Sequence, residues 1–220
     1  KKTEVVLCPP FIYLEKLKKI RTSKINLGGQ NAFSTAAGAF TGEVSPSMLR
    51  NLGCTYVILG HSERSQYMKE TMAMVKQKIQ AALKVGLVPV VCVGEEDIQE
   101  RKTEIEVKLI GLLQGLQAKD LSKLVLAYEP LWAISTNKNA RPEDPEDLRE
   151  VVALIRGILV SLFGEQSLQV PILYGGSVTA QNIQSFLGPD KAQGALVGAA
   201  SLDTQEFIAL VKNATIGYKE

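Results

Sequence analysis

The chain has 220 residues, 45% of them apolar and 22% charged, with a net charge of +2, which is ordinary for a soluble globular protein of one large or two small domains. Lysines and arginines are dispersed among acids, which argues against a nucleic-acid surface, and no apolar run resembles a membrane span or a signal peptide. The three cysteines, Cys8, Cys54 and Cys92, have no metal-ligand spacing and only one histidine to assist them, so no metal site is expected and a reducing intracellular compartment fits best.

Seven short apolar or β-branched runs read as strands: Glu4–Cys8, Ile25–Gly29, Tyr56–Leu59, Val88–Val93, Leu124–Tyr128, Ile172–Tyr174 and Ala195–Val197. Most lack polar alternation, as strands do when both faces are covered in a parallel sheet. Helical periodicity falls between them, at Phe11–Ile20, Tyr67–Leu83, Glu104–Leu116, Leu148–Phe163 and Thr204–Val211. The stripe Met68, Met72, Val75, Ile79 and Leu83 reads as a packing face. Thr35–Ser45 is too aperiodic for helix and reads as a loop. Strands recurring at a spacing near the ~30 residues of a βα unit suit one α/β domain across 1–220. A doubly wound sheet usually carries a glycine-rich first βα turn, and here that turn is Cys8-Pro9-Pro10-Phe11, so a β/α barrel is favoured.

Reactive groups of such a barrel gather beyond the carboxyl ends of its strands. Those positions hold Gln30-Asn31, His61-Ser62-Glu63-Arg64, Glu95, Glu129, Gly175-Gly176-Ser177 and Gly198-Ala199. Glu129 ends an apolar strand and is followed by Pro130, which starts a loop beside the carboxylate. Taken singly, each has an ordinary reading: a solvated loop acid, a hydrogen-bonded structural histidine, glycines that supply tight turns. Small residues in the two late turns also suit backbone N–H groups that approach a phosphate. Cys92 reads as a small core residue.

The motifs Ala127-Tyr-Glu-Pro-Leu-Trp-Ala-Ile134, Leu59-Gly-His-Ser-Glu-Arg64 and Tyr174-Gly-Gly-Ser-Val178 resemble active-site motifs of the triosephosphate isomerase family. Gly38–Glu43, Val91-Cys-Val-Gly-Glu95 and Leu196–Leu202 are similar to further motifs of that family, in the same order along nearly the whole chain. The resemblance implies a TIM (β/α)8 barrel and an aldose–ketose isomerase of glycolysis and gluconeogenesis. Its substrates would be dihydroxyacetone phosphate and glyceraldehyde 3-phosphate, joined by an enediolate, with no cofactor. Glu129 would be the base and His61 an uncharged donor that polarises the carbonyl. Ser135, Ser177, Gly198 and Ala199 would cradle the phosphate, and Pro130 to about Ala140 would form a lid that excludes water. Trp132 would cap the lid's hinge, or simply bury its ring. Glu63 and Arg64 would ion-pair near the site, and Glu95 would do the same or serve as a first-turn helix acid. The 35–45 loop would enter a second subunit, making a cytoplasmic homodimer.

The chain also departs from the family pattern. The family begins with a strand carrying Asn-x-Lys and a helix, and the first βα unit is expected to be absent from this chain, which starts Lys1-Lys2-Thr3. A fragment of a longer protein is the simplest expectation, with folding and activity of the isolated chain doubtful. Ser135, Asn137 and Ala199 stand where the family has glycine; Ala199 would cost roughly 1 kcal/mol if a left-handed conformation were required. These departures leave a second reading open, a catalytically impaired barrel that binds sugar phosphates or a protein partner. A third is another phosphate-binding barrel isomerase with a larger substrate.

Overall fold

A strand forms at each of the seven predicted places, most of them rich in Val, Ile and Leu, although the last shares only Ala195 with its predicted range. A computed structural model describes residues 3–19, 22, 25–133 and 144–216. The strands are β1 (Val5–Leu7), β2 (Ile25–Gly29), β3 (Tyr56–Leu59), β4 (Val88–Val93), β5 (Val125–Tyr128), β6 (Ile172–Tyr174) and β7 (Gly194–Ala195). The helices are α1 (Phe11–Lys18), α2 (Pro46–Asn51), α3 (Ser62–Met68), α4 (Met72–Lys84), α5 (Arg101–Leu113), α6 (Pro145–Phe163), α7 (Ile183–Phe186) and α8 (Thr204–Ile216). The last strand starts one residue before its predicted position, because Gly194 and Ala195 pair with Leu173 and Tyr174.

Internal contacts divide the chain into two compact units. The first is Glu4–Cys92 with Gly111–Val125, and the second contains Val93–Ile110 and the described part of Leu126–Glu220. In the first, β1 pairs with β2, β2 with β3 and β3 with β4, all parallel. In the second, β5 pairs with β6 and β6 with β7, again parallel. Within each unit, chain neighbours are sheet neighbours, and the order nowhere reverses as it does at the switch point of a doubly wound sheet. Leu27, Val57, Leu59 and Val91 are buried in the first unit, and Leu126, Ala127, Ile172 and Tyr174 in the second.

Helix starts follow local chemistry. Ser45 Oγ accepts the Met48 N–H at 3.2 Å, with Pro46 at the first helical position of α2. Asp144 Oδ1 accepts the Glu146 N–H at 2.8 Å, and Pro145, Glu146 and Asp147 fill the first turn of α6. The predicted helix Tyr67–Leu83 is two helices. Lys69 takes a left-handed conformation with φ of 55°, and Thr71 Oγ1 then caps the Met74 N–H at 3.3 Å. The break turns Met68 and Met72 outward, to 65% and 42% exposure, while Val75 and Ile79 remain in the core.

In the first unit a polar cluster joins the first three strands. Tyr56 Oη donates to Glu4 Oε1 at 2.8 Å, and Asn26 Nδ2 donates to the same oxygen at 2.6 Å. Burial, and then the bond to and charge of Glu4, push the Tyr56 phenol up to about 12. The raised value gives a stabilisation that is complete below about pH 10, the unfolded value, and lost as pH rises through about 12. The tyrosinate absorbance difference between wild type and Tyr56→Phe is therefore expected to titrate near 12 rather than near 10. A difference titrating near 10 would contradict the assignment.

Candidate active site

In the second unit the end of β5 places Glu129 where almost no space remains around its backbone. The residue is 3% exposed, and its N–H donates to the Val93 carbonyl at 2.8 Å. A Cβ on Gly94 would stand 1.9 Å from the Glu129 carbonyl oxygen. A Cβ on Gly175 would stand 2.6 Å from Glu129 Cγ and 3.2 Å from the Tyr128 carbonyl oxygen. Both contacts lie far inside van der Waals distance, so no residue with a side chain fits either position without moving the glutamate. Gly176 is constrained likewise, by the Tyr174 ring and hydroxyl. None of these glycines has positive φ. Close approach, rather than turn geometry, explains them.

Glu95 lies beside this segment and is fully buried. Its Oε1 accepts from Tyr128 Oη at 2.9 Å, Trp132 Nε1 at 3.0 Å and Arg101 Nε at 3.0 Å. The Arg101 guanidinium also stands 5.7 Å from the centre of the Trp132 ring. The Leu131 N–H donates to the Glu95 carbonyl at 3.0 Å, so main chain and side chain of one residue hold the start of the loop after Glu129. This is not a solvated first-turn acid. Its cation lies six residues ahead across an irregular loop, and no periodicity in the sequence marks that pairing.

Three predicted phosphate residues are also in this unit. Ser177 is half-buried in the turn after β6, where its carbonyl accepts from Asn182 Nδ2 at 3.1 Å. Gly198 and Ala199 follow β7 and are exposed. Nothing lies within 4 Å of where a Cβ would stand on Gly198, and Ala199 opens a short 3₁₀ turn. Lys69 is the one described non-glycine residue with positive φ, so the anticipated left-handed strain at Ala199 does not arise. Ser135, Asn137 and the rest of the predicted lid beyond Ala133 lie outside the described residues.

In the first unit His61 caps α3. The Glu63 N–H donates to His61 Nδ1 at 3.3 Å, and a nitrogen that accepts such a bond cannot also carry a proton. A neutral ring whose Nδ1 accepts this bond carries its proton on Nε2, where it can donate. Glu63 Oε2 is 3.8 Å from Nδ1 and exposed, whereas Arg64 turns away to Glu70, with Nε at 3.1 Å from Oε1. Lys78 Nζ donates to that same Glu70 oxygen and to Asn31 Oδ1 at 3.0 Å, and Lys78 and Glu70 are both buried. The sequence reading missed this cluster. Its signal was Lys78 standing on the apolar stripe between Val75 and Ile79.

A family model described as triosephosphate isomerase matches residues 1–214. A triosephosphate isomerase of Dictyoglomus thermophilum is 46% identical over 216 residues, spanning 96% of this chain and 86% of that protein. One from Caldanaerobacter subterraneus subsp. tengcongensis is 45% identical with the same shares covered, and one from Rhodopirellula baltica 44% identical over 96% of this chain and 84% of its own.

Removing Lys78 leaves the buried Glu70 carboxylate with Arg64 as its remaining described cation, while its second oxygen, Oε2, accepts no bond among the described residues. Lys78→Met is expected to cost about 3–5 kcal/mol, a fall in melting temperature of roughly 6–20 °C for a chain of this size. Adding Glu70→Leu should recover most of it, because the Arg64 side chain is 30% exposed and can be hydrated. Calorimetry of both variants checks this; equal melting of wild type and Lys78→Met would refute it.

Proposed function

The chain belongs to the triosephosphate isomerase family, and on that premise we propose that it interconverts dihydroxyacetone phosphate and D-glyceraldehyde 3-phosphate, with Glu129 as the base. Family membership makes a TIM barrel the fold and a single barrel domain across 1–220 the expected organisation. In the proposed reaction the Glu129 carboxylate takes a proton from the hydroxymethyl carbon of dihydroxyacetone phosphate. The released electron pair forms the carbon–carbon double bond of the enediolate, and the same proton returns to the neighbouring carbon. His61 donates its Nε2 proton to the carbonyl oxygen, stabilising the charge that develops there, and takes up the hydroxyl proton from the neighbouring oxygen, so the old carbonyl ends as a hydroxyl and the old hydroxyl as the aldehyde. The amides of Ser177, Gly198 and Ala199, with Ser135, are the proposed phosphate donors.

The burial and steric seat of Glu129 carry this reading. A base that abstracts a carbon-bound proton gains from exclusion of water, which otherwise solvates the carboxylate and protonates the intermediate. A carboxylate whose stem packs against the Gly175 backbone has fewer positions open to it, which restricts the distance over which the proton moves. The impaired-barrel alternative is not favoured, since relatives at 43–46% identity over most of the chain carry the isomerase name. Among the described residues no helix is long and apolar enough to cross a membrane, and we place the protein in the cytoplasm as a glycolytic enzyme.

A homodimer through the 35–45 loop is the proposed assembly. The Phe33 N–H donates to the Val44 carbonyl at 2.8 Å and closes the loop at its base. The Phe33 and Phe40 rings are 4.5 Å apart, and Phe40 stays 45% exposed, an aromatic surface suited to burial against a second copy.

Two measurements test these assignments. In a coupled isomerase assay, Glu129→Gln is expected to lower kcat by about 10²–10⁴-fold with KM little changed. Gly175→Ala, which shifts the carboxylate without altering it, should lose about a hundredfold. Full turnover by Glu129→Gln would eliminate it as the base. For the assembly, sedimentation velocity should give a dimer that Phe40→Asp converts to monomer; a monomeric wild type would dismiss the interface.

A further inference from the structure

We propose that Glu206 and Asn213 of α8 are positioning residues for phosphate binding, acting through the peptide units of Ala180; this rests on the reading of Ser177, Gly198 and Ala199 as phosphate donors. Ala180 follows Ser177 by three residues and is buried, so water is not available to its polar groups. Both are held by one helix. The Ala180 N–H donates to Glu206 Oε1 at 2.7 Å, and the Ala180 carbonyl accepts from Asn213 Nδ2 at 2.7 Å. Positions seven apart lie on one face of a helix, two turns from each other. The grip reaches Ser177 through a short relay. The Thr179 N–H donates to Asn182 Oδ1 at 2.8 Å, and Asn182 Nδ2 donates to the Ser177 carbonyl at 3.1 Å.

The same helix grows out of the other half of the proposed cradle. Gly198 and Ala199 lead into the 3₁₀ turn Ala199–Leu202, and Asp203 follows. Asp203 Oδ1 accepts the Glu206 N–H at 2.8 Å, and its carbonyl accepts the Phe207 N–H at 2.9 Å. Glu206 is thus bonded on its main chain to the end of the turn after β7, and on its side chain to the turn after β6. A first-turn glutamate that served only the helix dipole would need no partner on another element. Through Glu206, two turns far apart in sequence are set against each other, and their amides can meet the oxygens of one phosphate in a fixed arrangement. Loss of the carboxylate leaves a buried N–H unsatisfied and lets the turn after β6 rotate.

The test compares Glu206→Ala, Glu206→Gln and Asn213→Ala with wild type, using three readouts. These are KM and kcat for dihydroxyacetone phosphate, the competitive inhibition constant of inorganic phosphate, and kcat/KM for D-glyceraldehyde, which lacks the phosphate. Glu206→Ala is expected to raise KM and the phosphate inhibition constant about tenfold, with kcat and the D-glyceraldehyde value changed less than about threefold. Glu206→Gln keeps an acceptor oxygen and should stay within about threefold of wild type. Asn213→Ala should shift the same two constants in the same direction, and it decides the matter if Glu206→Ala does not fold. An unchanged phosphate constant in Glu206→Ala, an equal loss toward D-glyceraldehyde, or a Glu206→Gln as weak as Glu206→Ala overturns the positioning role. A wild type that neither isomerises the phosphorylated triose nor is inhibited by phosphate overturns the parent reading as well; a competent wild type beside an unaltered Glu206→Ala overturns the positioning role alone.

Discussion

The absence of side chains at Gly94 and Gly175 is the constraint on which the position of Glu129 depends. Parallel strands lie about 4.8 Å apart, so a side chain at the end of one strand competes for space with main chain from the next. At the end of β5 that competition is removed on both sides, with would-be Cβ positions 1.9 Å and 2.6 Å from atoms of Glu129. The glutamate can then sit inward and nearly dry while its N–H still completes the ladder with Val93. A carboxylate on a freely rotating stem samples many positions. One whose γ-carbon rests on a glycine backbone samples few, and a proton transfer over a fixed short distance benefits from that restriction.

Buried acids elsewhere in the chain show how much support a carboxylate needs when it is structural. Glu95 brings three donors to a single oxygen, one of them the Arg101 guanidinium, and Glu70 meets both Arg64 and Lys78. Desolvating a carboxylate costs several kcal/mol, and each of these acids offsets that with charge-assisted bonds. What they secure is position. Glu95 fixes the first residues after Glu129 by side chain and carbonyl together, and Glu70, through Arg64, ties α3, which His61 caps, to Lys78 of α4. Glu104 is a milder case near the surface. Burial alone would raise its carboxyl, but the Glu96 and Asp97 N–H groups and Lys108 prevail and hold it below the usual range. That stabilisation is present above the ordinary carboxylate pKa and is lost as pH falls through the lowered value.

Strands, and the strand end that carries Glu129, were legible because their signals are local. A run such as Val88–Val93 has no polar residue to turn outward, and Glu129 before Pro130 marks a strand end by itself. The partners in long-range pairings left no such trace, even where a charge on an apolar stripe, as at Lys78, marks one member. Arg101 reaches Glu95 across a loop, and Lys78 meets Glu70 eight residues away over a helix break. That break was hidden because the methionines happened to continue the apolar period through Lys69 and Thr71, although the backbone there turns left-handed and a new cap begins. Gly175-Gly176 read in the sequence either as tight-turn glycines or as room for backbone amides to approach a phosphate. Close packing against Glu129 and Tyr174 was a third reason, which only the positions of those side chains reveal.

Ala199 illustrates why a motif read by residue type can mislead about energy. A glycine replaced by alanine suggests strain, yet the strain exists only if the backbone there is left-handed. Ala199 instead opens a 3₁₀ turn after Gly198, whose φ is −86°, and an alanine is comfortable in such a turn. At Ala199 the backbone therefore makes no demand for glycine, whereas Gly198 before it has a ψ of −117°, outside the usual regions of residues with a side chain. Gly175 carries the opposite demand, since its φ is unremarkable and its neighbours leave no room. Two turns that look alike in sequence thus differ in their surroundings: the turn after β6 is crowded by the protein's own glutamate, and a side chain on Gly198 after β7 would meet nothing within 4 Å.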